Sequence, residues 1–339
     1  MSGNRAANAT QATLPQTGES SLRINLVFFL VASICFANPN LNGQDTPAPG
    51  KGHRFACTDY SQGKVFIFSA DGQVEWEYPA GDELCYGLAV LPNGNLLYTS
   101  GSYVKEVTRD KKVVFSYQRS KPAHYPIGFS ACQRLPNGNT LIADGAALKL
   151  LEVDPRGQIA KEVTLPKGKE AGGIRGVGQL NNGNYLVCHY RSSGCVCEYD
   201  PQGKALREIA VPGGATCAVR LPNGNTLISY KGSPAGVFEV DAEGKTVWNC
   251  SKIKGSGLPT GLERLPNGNT VIAYWHGGDG KDRLHVVEVT PESNVVWSFT
   301  DPLGVVKGLG IVRLLDEPGG ATKEDSKSKP RRSRSNGCP

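Results

Sequence analysis

The chain has 339 residues, of which 42 are glycine and 22 are proline but only one is methionine, and this composition favours short strands joined by tight turns over long helices. Its formal charge is +6 at pH 7, but residues 1–37 contribute +1 of this and residues 322–339 contribute +4. The remaining body is nearly neutral, which argues against a nucleic-acid-binding protein, because phosphate backbones are bound by broad basic surfaces.

The first predicted element is an N-terminal export signal in residues 1–37. Residues 26–37 form an uncharged apolar run of twelve, preceded by an arginine and followed by a polar, proline-rich stretch. This run is too short to span a bilayer as a helix, but it fits a signal-peptide core with the small residues Cys35 and Ala37 at the cleavage positions. We therefore expect an exported protein in which residues 38–52 form a linker. The alternatives are a buried apolar segment and a lipoprotein modified at Cys35.

An internal repeat follows and predicts the fold. The phrase LPNGN, or a close variant, occurs five times, beginning at residues 91, 135, 180, 221 and 265. Its Asn-Gly pairs stand 44, 45, 41 and 44 residues apart, which is the length of a four-stranded propeller blade. Asn-Gly between two apolar runs favours a tight hairpin turn, and a second hairpin follows each copy. The sequence therefore predicts an all-β fold, a six-bladed β-propeller over residues 53–315.

The unequal numbers of the two hairpins predict how the ring closes. The Asn-Gly hairpin occurs five times and the second hairpin six times, so the N-terminal blade lacks its first strand. Residues 307–315 read KGLGIVRLL and match the strand that precedes each Asn-Gly turn. We expect residues 308–315 to pair beside residues 53–59, which removes exposed sheet edges. The other blades are predicted at residues 84–118, 128–165, 173–211, 214–250 and 258–300.

The C-terminal residues 316–339 are polar and basic. A segment of this composition cannot bury enough apolar surface to fold by itself, so we predict a disordered, solvated tail. The alternative is a tail that contacts the cell wall or another anionic surface.

Several residues recur at one position in nearly every repeat, and we interpret them as structural. A large side chain recurs in the fourth strand, at Trp76, Phe115, Lys161, Arg207, Trp248 and Trp297. Glutamate recurs in the third strand, at residues 106, 152, 198, 239 and 288, and arginine in the first, at residues 134, 220, 264 and 313. Residues repeated in this way serve packing, hydrogen bonds or ion pairs between strands. These carboxylates are therefore not predicted to form a catalytic array.

The repeat phrases LPNGNTLI and EVDAEGKTVW resemble those of pyrroloquinoline-quinone-type and NHL-type propellers, and the first phrase is also similar to bacterial arylsulfotransferase propellers. The resemblance covers residues 53–315 and implies the architecture rather than an activity, because binding proteins and enzymes share these motifs. The quinone enzymes usually have eight blades and an acidic, calcium-binding quinone site. This chain has six predicted blades and no such acidic cluster in its sequence, so we expect no cofactor, neither quinone nor calcium.

A functional site is expected on the side of the ring opposite the Asn-Gly turns, where the loops are longer and more varied. There the ends of the second strands and the starts of the first strands differ between blades. The predicted ligand-binding residues are Tyr86, Arg175, His189, Tyr190, Tyr230, Tyr274, Trp275 and His276. This mixture of stacking surfaces and donors suits an anionic or carbohydrate-like ligand. The alternative is that the aromatic rings pack loops and the two histidines are exposed.

These residues predict an exported, non-catalytic propeller that binds a small molecule, a glycan or a protein partner. The first alternative is a hydrolase or transferase, similar to arylsulfotransferases or six-bladed lactonases. In it His189 or His276 would be base or nucleophile, and Arg175 would stabilise negative charge. A metal-dependent lactonase should also present glutamate and asparagine, which Asp59 and Asp144 do not supply. The second alternative is a structural protein of the cell envelope.

One hairpin concentrates Cys188, His189, Cys195 and Cys197. The spacing is not the C-x-x-C of a zinc knuckle, so no metal site is predicted and the cysteines are interpreted as small core residues. A disulfide from Cys188 to Cys195 or Cys197 is the second possibility in an exported protein, and a metal is the third.

Overall fold

The computed structural model describes residues 52–81, 84–120, 128–167, 173–190, 194–250, 253–275, 284–301 and 303–315. These residues form 24 strands in six four-stranded sheets. In this part of the chain no helix is long and apolar enough to cross a membrane. The predicted export signal, nearly all of the linker and the C-terminal tail lie outside the described residues.

Each sheet is one blade, and in every blade but the first the four strands follow one another along the chain. Blade one begins with β1 (Phe55–Asp59), β2 (Lys64–Phe68) and β3 (Val74–Pro79). Blade two has β4 (Cys85–Val90), β5 (Leu96–Ser100), β6 (Tyr103–Val107) and β7 (Val113–Gln118). Blade three has β8 (Phe129–Arg134), β9 (Thr140–Asp144), β10 (Lys149–Val153) and β11 (Ile159–Thr164). Blade four has β12 (Ile174–Gln179), β13 (Tyr185–His189), β14 (Cys195–Tyr199) and β15 (Ala205–Ala210).

The last two blades and the closing strand complete the ring. Blade five has β16 (Gly214–Arg220), β17 (Thr226–Lys231), β18 (Gly236–Val240) and β19 (Thr246–Cys250). Blade six has β20 (Leu258–Arg264), β21 (Thr270–Trp275), β22 (Val286–Val289) and β23 (Val295–Phe299). The final strand, β24 (Leu309–Leu314), returns to blade one.

The closure of the ring confirms the predicted six-bladed fold with three plus one strands in blade one. Strand β24 pairs antiparallel with β1, placing Phe55 opposite Leu314 and Asp59 opposite Leu309. The first strands of neighbouring blades contact one another and form the innermost layer around the axis. Closure leaves each sheet covered by its neighbours, which protects the strand edges near the axis.

The core lies between neighbouring blades. Between blades six and one, the Phe55 ring stacks on Phe68 at 5.2 Å and meets Phe299 edge-on at 5.1 Å. Second and third strands are buried on both faces, which explains their nearly continuous apolar sequences. The fourth strands are largely exposed, because no further strand covers their outer edge.

The repeated glutamates and arginines link adjacent blades on the side of the Asn-Gly turns. Glu198 of blade four accepts a hydrogen bond from Asn184 Nδ2 at 2.7 Å and one from Arg220 Nη2 of blade five at 2.8 Å. Arg220 Nη1 also donates to the Gly224 carbonyl at 3.0 Å, which fixes the next turn. The Glu106–Arg134 and Glu239–Arg264 pairs repeat this arrangement at 2.7 and 2.6 Å. The structural interpretation of these residues is confirmed, with the added detail that the ion pairs cross between blades.

The large side chains of the fourth strands also connect neighbouring blades. Trp76 Nε1 donates to the Arg109 carbonyl at 2.8 Å, and Trp248 Nε1 donates to the Pro291 carbonyl at 2.7 Å. In blade four, Arg207 Nη2 donates to the Asp241 carbonyl at 2.9 Å. Tryptophan and arginine are therefore equivalent here, because each offers a flat apolar surface and an N–H group to the next blade's outer turn.

Candidate functional site

Each innermost strand is irregular near its first residues, at the end of the ring opposite the Asn-Gly turns. The pairing shifts by a β-bulge or similar irregularity there in all six blades. A bulge leaves a residue without a cross-strand partner and redirects its side chain. The residues out of register include Tyr86, Ser130, Arg175, Thr216, Thr260 and Gly310. All six blades share this irregularity, but the side chain at the irregular position differs from blade to blade.

Arg175, the out-of-register residue of β12, is 9% exposed. Its Cζ atom lies 4.0 Å from the centre of the Tyr86 ring, 5.0 Å from that of Tyr190 and 5.7 Å from that of Tyr60. Its Nε and Nη1 atoms are buried and make no hydrogen bond with the part of the chain that the structure describes. None of the ion pairs found among the described residues involves Arg175. A guanidinium group is therefore held by aromatic faces, and no carboxylate among the described residues neutralises it.

Aromatic and cationic residues of five blades extend this contact. Tyr60 meets Tyr86 edge-on at 6.4 Å and Trp275 edge-on at 6.3 Å. Lys231 Nζ lies 5.4 Å from the centre of the Tyr190 ring. We call this set the mouth cluster, and its members are Tyr60, Tyr86, Arg175, Tyr190, Lys231 and Trp275. Arg175 and Tyr86 are buried at its base, three half-buried rings surround them, and Lys231 is exposed.

One position of the repeat supplies most of the mouth cluster. The residue at this position, which is the last of the second strand or the one directly after it, reads Tyr60, Gly101, Gly145, Tyr190, Lys231 and Trp275 around the ring. In blade three a side chain is excluded, because a Cβ atom on Gly145 would lie 2.6 Å from the Ile174 carbonyl oxygen. Tyr60 and Lys231 were not among the predicted ligand residues. Comparing this single position across all six repeats would have identified both.

The nearby acids Asp59 and Asp144 do not neutralise the positive charge of the mouth cluster. Asp59 accepts hydrogen bonds from Ser61 N at 2.8 Å and Lys307 N at 2.7 Å, and Asp144 pairs with Arg119 at 3.1 Å. These carboxylates hold loops in place. Burial raises the pKa of Tyr86 to about 12, and the adjacent Arg175 guanidinium opposes this increase. Tyr86 is therefore a neutral hydroxyl at physiological pH, and the charged members of the mouth cluster, Arg175 and Lys231, are both cations.

The structure brings together Tyr86, Arg175, Tyr190 and Trp275 but not Tyr230, Tyr274 or His189. Tyr230 packs between blades four and five, with its ring edge-on to Phe238 at 5.6 Å. Tyr274 is buried between blades five and six, where desolvation raises its pKa above the ordinary value. His189 is 1% exposed and faces blade three, and His276 lies outside the described residues.

His189 belongs to a separate group with two cysteines. Its Nε2 lies 2.9 Å from the Tyr199 hydroxyl, and the Cys195 and Cys197 sulfur atoms lie 3.2 Å apart. The hydrogen bond with Cys195 lowers the pKa of Cys197 below its ordinary value. Cys188 packs in the core between blades four and five, whereas Cys195 and Cys197 pack between blades three and four. The predicted alternative of a disulfide from Cys188 to either is therefore wrong, because the partners occupy opposite faces of one sheet.

Comparison with known proteins places the chain by its fold. No family model matches the sequence, and no curated protein matches it. A protein of unknown function from Bacteroides caccae is 23% identical, with a TM-score of 0.67 over 78% of this chain and 100% of that one. A nidogen/laminin complex gives 10% identity and a TM-score of 0.58, over 78% and 98% of the two chains.

A catalytically inactive virginiamycin B lyase from Staphylococcus aureus with quinupristin gives 12% identity and a TM-score of 0.53, over 76% and 88% of the two chains. Likenesses at these identities establish the fold alone. The quinone-type, NHL-type and arylsulfotransferase resemblances stay predictions. The chain is therefore similar to β-propellers. The similar structures include both binding proteins and a lyase.

Proposed function

We propose that this protein binds a small organic anion at the mouth cluster. The observation that carries the proposal is Arg175, a guanidinium group that is 9% exposed, has two nitrogen atoms without hydrogen bonds and has no ion pair with a described residue. A buried cation without hydrogen-bond acceptors is unfavourable unless a bound partner supplies acceptors and an opposite charge. A carboxylate, sulfate or phosphate group supplies two parallel acceptors that match the planar guanidinium fork.

The rings around Arg175 favour a ligand that is flat or has an apolar face. Tyr60, Tyr190 and Trp275 are half-buried, and each offers part of its ring above the buried base of the cluster. Aromatic faces of this kind stack against sugar rings and aromatic rings, while hydroxyl and indole N–H groups hydrogen-bond at the edge. Lys231 adds an exposed second cation. An acidic sugar uses all of these features, and it is the ligand class that we propose.

Catalysis by histidine is less well supported than binding. The hydrolase or transferase alternative needs a general base or nucleophile beside Arg175. His189 is instead turned between blades three and four, with its Nε2 2.9 Å from the Tyr199 hydroxyl. The rings of Tyr60, Tyr86 and Tyr190 lie against Arg175, and stacked rings of this kind hold and orient a group rather than accept a proton from it.

The test is calorimetric titration of the full chain with galacturonate, glucuronate and benzoate, using galactose as the neutral match for the first. We expect an acidic sugar to bind and galactose not to bind. Arg175→Met should weaken binding at least about tenfold, because a charge-assisted hydrogen bond contributes about 1.5–3 kcal/mol. Arg313→Met removes the same charge near the opposite end of an innermost strand and should leave affinity unchanged. Equal binding of galactose, equal losses in both variants, or no binding of any of these ligands would contradict the proposal.

We also propose that the protein is exported, on the basis of the apolar run at residues 26–37. Mass spectrometry of the protein recovered outside the cytoplasm should show a new N-terminus close after Ala37. Leu30→Arg interrupts the run and should retain the uncleaved chain inside, whereas Leu41→Arg, beyond the run, should not. A full-length wild-type chain confined to the cytoplasm would overturn this part of the proposal.

A further inference from the structure

Five polar side chains share one face of blade four at its mouth end. His189 of β13 pairs directly with Cys195 of β14, and Cys197 pairs with Glu208 of β15. Cross-strand partners lie on the same face, as do alternate residues of one strand, so the register alone groups these residues with Tyr199. The ligand atoms of His189, Cys195 and Cys197 lie within 4.8 Å of one another.

The chemistry of this group matches a thiophilic metal ion. His189, Cys195 and Cys197 are 1%, 6% and 3% exposed, so water competes weakly for their ligand atoms. Zinc binds sulfur at about 2.3 Å in a tetrahedron, which places two sulfur ligands about 3.8 Å apart. The observed separation is 3.2 Å, so binding needs only a small opening. Calcium and magnesium prefer oxygen ligands and do not fit two thiolates.

The same face also supplies a candidate fourth ligand and a contact that orients the His189 ring. Glu208 Oε2 lies 4.0 Å from the Cys197 sulfur, at the outer side of the group. The Tyr199 hydroxyl, 2.9 Å from His189 Nε2, holds the imidazole ring in place, as hydrogen-bond partners of metal-binding histidines do. Two thiolates would neutralise a divalent ion inside the sheet.

A disulfide between the two cysteines fits the backbone less well. Alternate residues of an extended strand have Cα atoms about 6.6–6.8 Å apart. This is at the upper limit of the Cα separation that a disulfide tolerates, about 6.8 Å. Cys195 and Cys197 lie in a strand that pairs regularly with β13 over their whole length, so nothing shortens that distance.

We propose that His189, Cys195 and Cys197 bind one zinc ion, with Glu208 or water in the fourth position. The ion joins β13 to β14 at the mouth end of blade four, next to the strand that carries Arg175. This site is independent of the ligand proposed for the mouth cluster. The sequence spacing is unlike that of a zinc knuckle because the strand pairing, rather than a turn, brings the ligands together.

The experiment uses the full chain, reduced with a phosphine, freed of metal and titrated with zinc against a chromophoric chelator. We expect one zinc per chain, and with cobalt a thiolate-to-metal charge-transfer band and the visible bands of tetrahedral cobalt. Cys197→Ser and His189→Gln should weaken binding by more than about 100-fold, the upper range for loss of an outer hydrogen-bond partner. Cys188→Ser is the matched control, because that thiol lies in the same hairpin on the opposite face.

A conservative variant and the melting temperature test the zinc site independently of ligand loss. Tyr199→Phe keeps the ring but removes the hydroxyl beside His189, and it should weaken zinc binding about tenfold without loss of the fold. Zinc should raise the melting temperature of the wild type and of Cys188→Ser but not that of Cys197→Ser. Absence of stoichiometric zinc binding, an equal loss in Cys188→Ser, or a Cys195–Cys197 disulfide in the unreduced protein would overturn the proposal.

Discussion

Two arginines on neighbouring innermost strands behave in opposite ways. Arg220 ends β16 on the side of the Asn-Gly turns, where it pairs with Glu198 at 2.8 Å and donates to the Gly224 carbonyl at 3.0 Å. Arg175 lies at the other end of the ring, against three tyrosine rings and with two nitrogens unpaired. The paired arginine recurs from blade to blade and serves the scaffold. Arg175 occurs once, and the absence of an acceptor for it among the described residues is what points to a ligand.

The largest effect that tests this contrast is expected at Arg220. Arg220→Met leaves Glu198 half-buried without its cation and should lower the free energy of unfolding by about 3 kcal/mol. Urea denaturation measures it. The double variant with Glu198→Gln should recover part of the loss, because no buried carboxylate then lacks a partner. A loss within experimental error would mean that the repeated ion pairs do not hold the blades together.

A smaller loss is expected from the turns on the same side. Gly94 has φ +82°, and an added Cβ would meet no atom within 4 Å, so Gly94→Ala isolates the backbone strain. We expect a loss of about 1–2 kcal/mol in urea denaturation, the cost of a left-handed conformation with a side chain. Gly178→Ala is the control, since Gly178 lies in β12 without a positive φ and the new Cβ would only touch Gln133 at 4.0 Å. Equal effects of the two changes would show that the turn conformation is not what matters.

Replacing Arg175 should change the free energy of unfolding in the opposite direction. Arg175→Met removes two unsatisfied N–H groups, each unfavourable by about 1–3 kcal/mol, and loses cation–π contacts of about 1–2 kcal/mol. We expect the unfolding free energy to increase by about 1 kcal/mol while acidic-sugar binding is lost. This combination is typical of a functional residue that is not optimised for stability. A destabilisation as large as that of Arg220→Met would instead place Arg175 in the scaffold.

The smallest effect is expected at Lys231, which is exposed at the rim of the mouth cluster. Lys231→Gln should change stability by less than about 0.5 kcal/mol. It should weaken acidic-sugar binding about twofold at low salt and less at high salt, because exposed charges are screened. Lys204→Gln, exposed at a turn on the other side, should change neither quantity. An affinity loss insensitive to salt would show that Lys231 acts other than by charge.

The architecture was predictable because its determinants are local. Asn-Gly turns and their spacing define each blade, and the match of residues 307–315 to the repeated first strand predicts the closure that β24 makes. These signals depend on backbone conformation and on alternation within a few residues. They can be recognised without knowing which blades face each other across the axis.

The candidate site was predictable only in part, because strand alternation separates neighbours in sequence. His189 turns between blades while Tyr190 joins the mouth cluster, and Tyr230 turns inward while Lys231 faces the rim. A shift of one residue in an extended strand exchanges the two faces. The prediction took both His189 and Tyr190, and it took Tyr230 rather than Lys231, because the sequence does not show which residue of each pair faces the mouth.

The number of blades, their boundaries and the strand that closes the ring follow from the amino-acid sequence, since each depends on turns and a periodicity that the chain repeats. The folded chain was needed to show that Arg175 reaches the rings of Tyr60 and Tyr86, which belong to other blades. It also shows that His189, Cys195 and Cys197 meet on one face of blade four. Contacts across the axis and across a sheet join residues of different blades or strands, and the bulges and register that aim those side chains are not encoded by any local pattern.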